Sequence, residues 1–320
     1  MARSGSTDFG TRTLAVHDLI TDAMRTIGAL KPGETAQNSG DVLRAMRQLN
    51  YILKRDQTEG LALWLVEKGT VFLVKGQESY TLDASTDECA STYYKTEVKV
   101  AASATDVNID VDTTANMTAD DVIGIELDSG DIHWTTVSSV TDGDTVVIAS
   151  GIPAGDSAAI DNHVYNYTTI MESPVRLVPG TIRLEAEDGT ETPVLLISRQ
   201  DYMALSDKST QGTISQVYYK RQWNSGVLYT YPTANSTASV LHFDFERMVQ
   251  DVDALTDDID VPVEGFSYLT KQLAADLALS FGVDPNVAMM LKQEAMLERE
   301  AFFNFYSEQG SIYLQPGDLG

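Results

Sequence analysis

Apolar residues recur at three- and four-residue intervals near both ends of this chain, and between those ends they alternate or cluster in short runs. Val16, Leu19, Ile20, Ala23, Met24 and Ile27 lay one stripe along an amphipathic helix, which Gly28 stops. After the polar turn Lys31-Pro32-Gly33-Glu34, a second helix is expected from Asn38 or Ser39. It carries Val42, Leu43, Met46, Leu49, Ile52 and Leu53 on one face and ends at Gly60. At the other end, Pro262 opens a helix with Phe266, Leu269, Leu273, Leu277 and Phe281 inward, closed by Gly282. Asp284-Pro285 restarts it, as N-cap and first-turn proline, and Met290, Leu291, Ala295, Ala301, Phe302 and Phe305 extend it. The N-terminal hairpin has a stripe too wide for its own two helices. The two chain ends are therefore expected to fold together.

Between them the period changes to two. Trp64, Val66, Val71, Phe72 and Val74, then Gly76-Gln77, then Tyr80 and Leu82 read as a strand pair with a polar turn. From about Tyr93 to Tyr167 helix signals vanish. Val107, Ile109 and Val111 alternate, as do Ile123, Ile125 and Leu127, with turns at Ser129-Gly130 and Asp142-Gly143. Further strands are expected around Val175, Val194 to Ile197, Val217 to Tyr219, Val227 to Tyr231 and Val240 to Phe245, with a short helical turn that begins at Ser198-Arg199-Gln200-Asp201-Tyr202 and reaches Leu205, and a hairpin turn at Asn224-Ser225-Gly226. The expected fold class is α+β: a helical bundle of N- and C-terminal helices, an antiparallel β-sheet, and an inserted small all-β module. The expected division is 1–91 (helical hairpin and first strands), 92–167 (the β-module) and 168–320 (sheet, C-terminal helices and extended tail), with residues 1–12 a flexible arm.

Composition narrows the function. The chain has 320 residues, 43% hydrophobic, enough for one good core and a second module. No apolar run reaches the roughly 20 residues that span a bilayer. Cys89 is the single cysteine, which rules out an intrachain disulfide and a cysteine-based zinc cluster. Forty-seven acidic against 22 basic residues give a net charge of −25, which repels phosphate backbones and argues against a dedicated DNA-binding module. The segment Asp251 to Asp260 is dense in aspartate but lacks the central glycine and closing glutamate of a calcium loop, so it reads as a solvated loop. The motifs G-x-S-x-G, G-x-x-x-x-G-K-[ST] and H-E-x-x-H are absent, and His17, His133, His163 and His242 stand far apart. No catalytic residue, cofactor or metal is expected.

The order of several short motifs resembles the head-to-tail adaptor, or connector, proteins of short-tailed phages, the group of packaged-DNA stabilization and tail tubular A proteins. The motifs are Asp18-Leu19-Ile20-Thr21-Asp22-Ala23-Met24-Arg25 with Gly28, Leu49-Asn50-Tyr51-Ile52-Leu53, Glu59-Gly60-Leu61-Ala62-Leu63-Trp64 and Gly76-Gln77-Glu78-Ser79-Tyr80-Thr81-Leu82. They continue through Ser198-Arg199-Gln200-Asp201-Tyr202, Gly226-Val227-Leu228-Tyr229-Thr230-Tyr231-Pro232 and the final helices. Gly124 to Gly130 with His133 to Val137 is similar to the inserted module of larger members.

The resemblance implies a structural virion protein made in the host cytoplasm: a dodecameric ring beneath the portal that retains packaged DNA and joins capsid to tail. Its partners would be the portal protein, tail nozzle or tail fibre proteins and further copies of itself. Double-stranded DNA would pass its acidic channel without sequence-specific binding, and no membrane would be involved. Phe303, Tyr306, Ile312, Tyr313 and Leu314 are the residues expected to bind the portal or a neighbouring subunit, because they place more apolar surface at the chain end than a solvated terminus needs. Phe302 and Phe305 are expected to return to the subunit's own core. The alternatives are a virion-associated carbohydrate-degrading enzyme, which requires paired carboxylates in a deep cleft, and a receptor-binding or decoration protein acting through the β-module.

Overall fold

A computed structural model describes residues 15–31, 33–35, 40–59, 63–223 and 225–305. The expected arm at 1–12, the helix start at Asn38 or Ser39, the stop at Gly60, Asn224 of the hairpin turn, and the chain from Tyr306 onward lie outside them. The helices are α1 (Val16–Thr26), α2 (Gly40–Thr58), α3 (Arg199–Ala204), α4 (Phe266–Ala278) and α5 (Pro285–Phe305). The first strands are β1 (Val66–Phe72), β2 (Ser79–Leu82), β3 (Cys89–Ala90), β4 (Tyr94–Glu97), β5 (Asn108–Asp110), β6 (Val122–Glu126), β7 (Ile132–Val140), β8 (Thr145–Ile148) and β9 (His163–Tyr167). They are followed by β10 (Pro174–Leu177), β11 (Arg183–Glu185), β12 (Glu191–Pro193), β13 (Leu195–Leu196), β14 (Gln211–Gly212), β15 (Gln216–Arg221), β16 (Gly226–Tyr231), β17 (Thr233–Ala234) and β18 (Val240–Arg247).

The chain divides into two compact units, Met1–Leu65 with Val249–Gly320, and Val66–Met248. In the first, the apolar stripes of α1 and α2 and the inward face of α4 share one core, with Leu19, Ile20, Leu49, Ile52, Leu269 and Leu273 almost fully buried. α1 stops where Gly28 takes φ +74°, letting its N–H reach the Arg25 carbonyl and that of Ala29 the Met24 carbonyl. Gly282 (φ +73°) ends the turn after α4, and Asp284 Oδ1 accepts the Asn286 N–H at 2.8 Å to start α5. Asn50 ties α2 to the loop before α4 through paired bonds with the Val252 backbone, both 2.9 Å.

In the second unit every element among the described residues except α3 is a strand. Sheet one runs β12-β11-β18-β1-β3 with β10 also on β18, and sheet two runs β13-β15-β16-β2. Val71, Leu241, Phe243 and Phe245 from the first meet Tyr80, Leu82, Val217 and Leu228 from the second in a common core. A two-stranded pair, β14-β17, completes this part. Residues 94–167 carry a further sheet, β4-β9-β6-β7-β8-β5, with its own core around Ile109, Ile123, Ile125 and Val146. Phe72 fastens it to sheet one: its ring lies 4.8 Å from Tyr165, 5.2 Å from Trp134 and 5.8 Å from Tyr167 between centroids.

The expected fold class is corrected. Strand, about 31%, exceeds helix, 28%, in four sheets against five helices among the described residues, so the chain is mostly β and not a helical bundle carrying one sheet. The reason is visible in the elements. The long helices advertise themselves by periodicity, whereas many strands have only two to four residues, too short to show a period. Nor is the sheet purely antiparallel, since β13-β15 and β14-β17 are parallel. β1 and β2 do not pair with each other either: β1 bonds β18 and β3, and β2 bonds β16. Gly76 at φ +78° donates its N–H to the Ala234 carbonyl, and this turn carries the chain from one sheet into the other.

Candidate functional site

The most distinctive surface of the described chain is the outer side of α5. Ala288, Ala295 and Phe302, seven residues apart, are buried. Two turns of helix separate them, so they share a face, and small residues there let α5 lie close to α4. Met290 and Leu297 lie opposite that seam and Met289 and Met296 on the flank beside it, each pair with the same spacing of seven, and all four are 59 to 67% exposed. Four large apolar side chains in one stripe on a solvent face are unusual for a helix whose inner face is already satisfied. Methionine suits such a surface because its flexible thioether adapts to varied partners. Toward the C-terminal end the stripe opens into a groove of about 680 Å³ lined by Gln293, Met296, Leu297, Glu300, Phe303 and Asn304, with Arg299 at its side.

Behind the groove, charged and aromatic side chains are joined across helices. Arg299 donates from Nε and Nη2 to Asp56 Oδ1 at 3.3 and 3.2 Å and bonds Glu59, while its guanidinium stands 4.9 Å over the Phe303 ring. Asp56, buried on α2, also accepts the Tyr268 hydroxyl at 2.5 Å. Burial pulls the Arg299 pKa down, but its bonds to Glu59 and Asp56 outweigh that and raise it above the ordinary arginine value. Burial, reinforced by the Asp56 charge, raises the Tyr268 phenol. One carboxylate thus connects α2, α4 and α5 behind the exposed stripe.

Of the residues expected to bind a neighbour, Phe303 is described. The residue is only 8% exposed and its ring packs against Trp64, Tyr268 and Phe302, so most of it serves the core of its own chain, with part of it left lining the groove. Tyr306, Ile312, Tyr313 and Leu314 lie outside the described residues. Phe302 does return to the core, whereas Phe305 is 73% exposed. The periodicity uses Met290 to extend this helix and passes over Met289, Met296 and Leu297. The signal was present: once Ala288, Ala295 and Phe302 are taken as the inner seam, Met290 and Leu297 fall opposite and Met289 and Met296 on the flank.

A second concave feature lies in sheet one. A cleft of about 620 Å³ is lined by Lys68, Thr70, Tyr93, Arg183, Glu191, His242 and Asp244, among others. Cross-strand register places Thr70 and Arg183 opposite His242. Thr70 Oγ1 lies 2.9 Å from His242 Nδ1, and His242 Nε2 lies 2.6 Å from Glu185 Oε2. The carboxylate fixes Nε2–H and leaves Nδ1 to accept the hydroxyl, a hydroxyl–imidazole–carboxylate line of the kind that activates nucleophiles. Thr70, however, is 4% exposed and presents no free oxygen to the cleft.

The other histidines are scattered: His133 Nε2–H meets the Ser150 carbonyl at 2.8 Å, His163 is buried, and His17 sits beside Asp18. Asp257 of the acidic loop accepts the Asp253 and Ala254 N–H groups at 2.9 and 2.7 Å, and Asp260 accepts that of Gln250 at 3.2 Å, so both hold the loop's own backbone. Among the described residues no group of three or more His, Cys, Asp or Glu is placed to hold a metal ion, and no helix is long and apolar enough to cross a membrane. At the β15–β16 hairpin Trp223 stands 91% exposed beside Lys220 and Arg221. Neither a protein-family model nor a curated protein matches this chain.

Proposed function

We propose that the protein is a structural virion component, a head-to-tail adaptor that assembles as a ring beneath the portal, retains packaged DNA and connects the capsid to the tail. The observation that carries this reading is the exposed apolar stripe on α5, which supports contact with another protein and is backed by the hydrogen-bonded Asp56–Arg299–Tyr268 cluster. The ordered motifs that resemble the adaptors of short-tailed phages add the kind of assembly. By that resemblance the ring is dodecameric, its partners are the portal and tail nozzle or fibre proteins, and it resides in the neck of the virion after synthesis in the host cytoplasm. A net charge of −25 suits a wall along which DNA slides without sequence-specific contact.

The test is negative-stain microscopy of the full chain with and without purified portal rings. Added ring density on the portal is the expected result, and portal rings left bare at saturating protein overturn the proposal. The cleft beside His242 supports one other reading, a carbohydrate-degrading virion protein, because Glu191 and Asp244 share it with the Tyr93 ring. Release of reducing sugar from host capsule or lipopolysaccharide, lost in Glu191→Gln and Asp244→Asn, would favour that reading over the adaptor.

A further inference from the structure

α2 carries a second surface that its own unit leaves uncovered. Leu43, expected from periodicity on the inner face, is 50% exposed, and Tyr51, eight residues on, is 61% exposed. Arg44 and Arg47 lie between them, both exposed and with no hydrogen bond or ion pair among the described residues. The nearby Lys54 and Arg55, by contrast, are engaged by Asp251 and Asp56. Two uncommitted arginines beside a leucine and a tyrosine stand out in a chain with 47 acidic residues. Arginine and tyrosine are also the residues that interfaces favour at their centres.

This surface complements the stripe on α5. There the apolar residues again span eight positions, Met289 to Leu297, so both patches are about 12 Å long at the helical rise. The charges are opposite: Glu300 is exposed within the α5 stripe without an ion pair, and Glu294 flanks it near Lys271. Both helices pack on α4, so their solvent faces are turned away from it and from each other's buried sides. The two patches are different surfaces of one subunit, and such a heterologous pair generates a ring when its rotation closes.

Resting on the adaptor reading, we propose that a second copy of this chain occupies the α5 stripe, and that it does so with the Leu43–Tyr51 face of its α2. Met289, Met296 and Leu297 pack against Leu43 and Tyr51, and Glu300 meets Arg44 or Arg47 at the rim. Each subunit gives one face and receives the other, so the contact propagates in one direction around the ring.

Two variants of the full chain test the contact. Arg44→Glu/Arg47→Glu makes the α2 face acidic, and Gln293→Lys/Glu300→Lys makes the α5 face basic. Alone, each variant sets like charges against each other at every junction, whereas in an equimolar mixture every junction joins opposite charges. Sedimentation velocity and microscopy, in solution and on portal rings, are compared with wild type, with circular dichroism as the check on folding. Each variant alone is expected to assemble at least about tenfold more weakly, and the mixture to recover wild-type assembly.

Wild-type assembly by either variant alone, or a folded mixture that stays apart, overturns the contact. If wild-type rings form and the variants ring equally well, the adaptor reading survives and only this interface fails. If wild type assembles neither in solution nor on portal and the variants do not associate on mixing, both fail. If Arg44→Glu/Arg47→Glu loses only binding to a duplex DNA probe while its rings persist, the α2 face is a phosphate-contacting surface and the contact is again overturned.

Discussion

Replacing Asp56 by alanine should loosen the helical unit more than any other single change to a charged residue in it. The side chain is 7% exposed and serves three elements at once. It receives the Tyr268 hydroxyl at 2.5 Å from α4, and two N–H groups of Arg299 at 3.2 and 3.3 Å from α5, while itself lying on α2. Loss of the carboxylate leaves the buried Tyr268 O–H without its acceptor, while Arg55 Nη2 still donates to that oxygen at 3.4 Å, a cost of about 1.5–3 kcal/mol. Arg299 keeps Glu59, which is half-exposed, so it forfeits only part of its compensation, about 1 kcal/mol rather than the full penalty of an unpaired buried charge.

The sum is about 3 kcal/mol. Asp56→Asn, which still offers Tyr268 an acceptor but drops the charge, should cost roughly half of that. Because α1, α2, α4 and α5 all belong to the same unit, guanidinium unfolding followed by ellipticity at 222 nm reports on it selectively. The double variant Asp56→Leu/Arg299→Met provides the control. It should be less destabilised than the two single changes added together, by about 1.5 kcal/mol, since it removes both charges. An Asp56→Ala midpoint that corresponds to less than about 0.5 kcal/mol, or strict additivity in the cycle, would refute the view that this carboxylate couples the three helices.

His163, buried on β9, should make the 94–167 sheet acid-sensitive. Burial, with help from Lys95, lowers its folded pKa below 6.5, so its contribution is complete above about pH 6.5 and is lost as pH falls through the lowered value. Unfolding at pH 7.5 and 5.0 should show a difference that shrinks in His163→Asn. Gly124→Ala should cost about 1–3 kcal/mol by forcing a Cβ into the Trp134 ring on the paired strand, read as a lowered midpoint in tryptophan fluorescence; a wild-type midpoint counts against that packing. The Cys89 thiol, buried and pushed up to about 11, should resist a disulfide reagent at pH 8 until denaturant is added, and rapid labelling of the native protein would show that β3 opens readily.

The helices of the first unit were legible because each needs only its own sequence. The stripe Val16–Met24, the stop at Gly28, the Asp284-Pro285 restart and the apolar face of α4 are local signals of period, cap and turn, acting within a few residues. The Ser129-Gly130 and Asp142-Gly143 turns are equally local. Gly130 takes φ +88° and the Asp142 carboxylate accepts the Asp144 and Thr145 N–H groups.

What no local pattern contains is which strand pairs with which, and which face of a helix stays uncovered. β1 finds β18, whose residues lie 172 positions further along at the Thr70–His242 pair, and this choice splits the expected hairpin and moves the balance of the chain to β. Pairing partners are set by the fit of whole sheets across a core, here Phe243 and Phe245 against Tyr80 and Leu228. The candidate surface obeys the same logic. Met289, Met290, Met296 and Leu297 look in the sequence like core residues, as Leu43 does, because hydrophobicity is the same whether the covering surface belongs to the same chain or to another. Ala288, Ala295 and Phe302 take the place against α4, and only that packing turns the larger side chains outward. The sequence by itself determined that helices lie near both ends of the chain, that the first stops at Gly28 and the last restarts at Asp284-Pro285, and that the chain is acidic; tertiary packing decided which apolar residues stayed exposed.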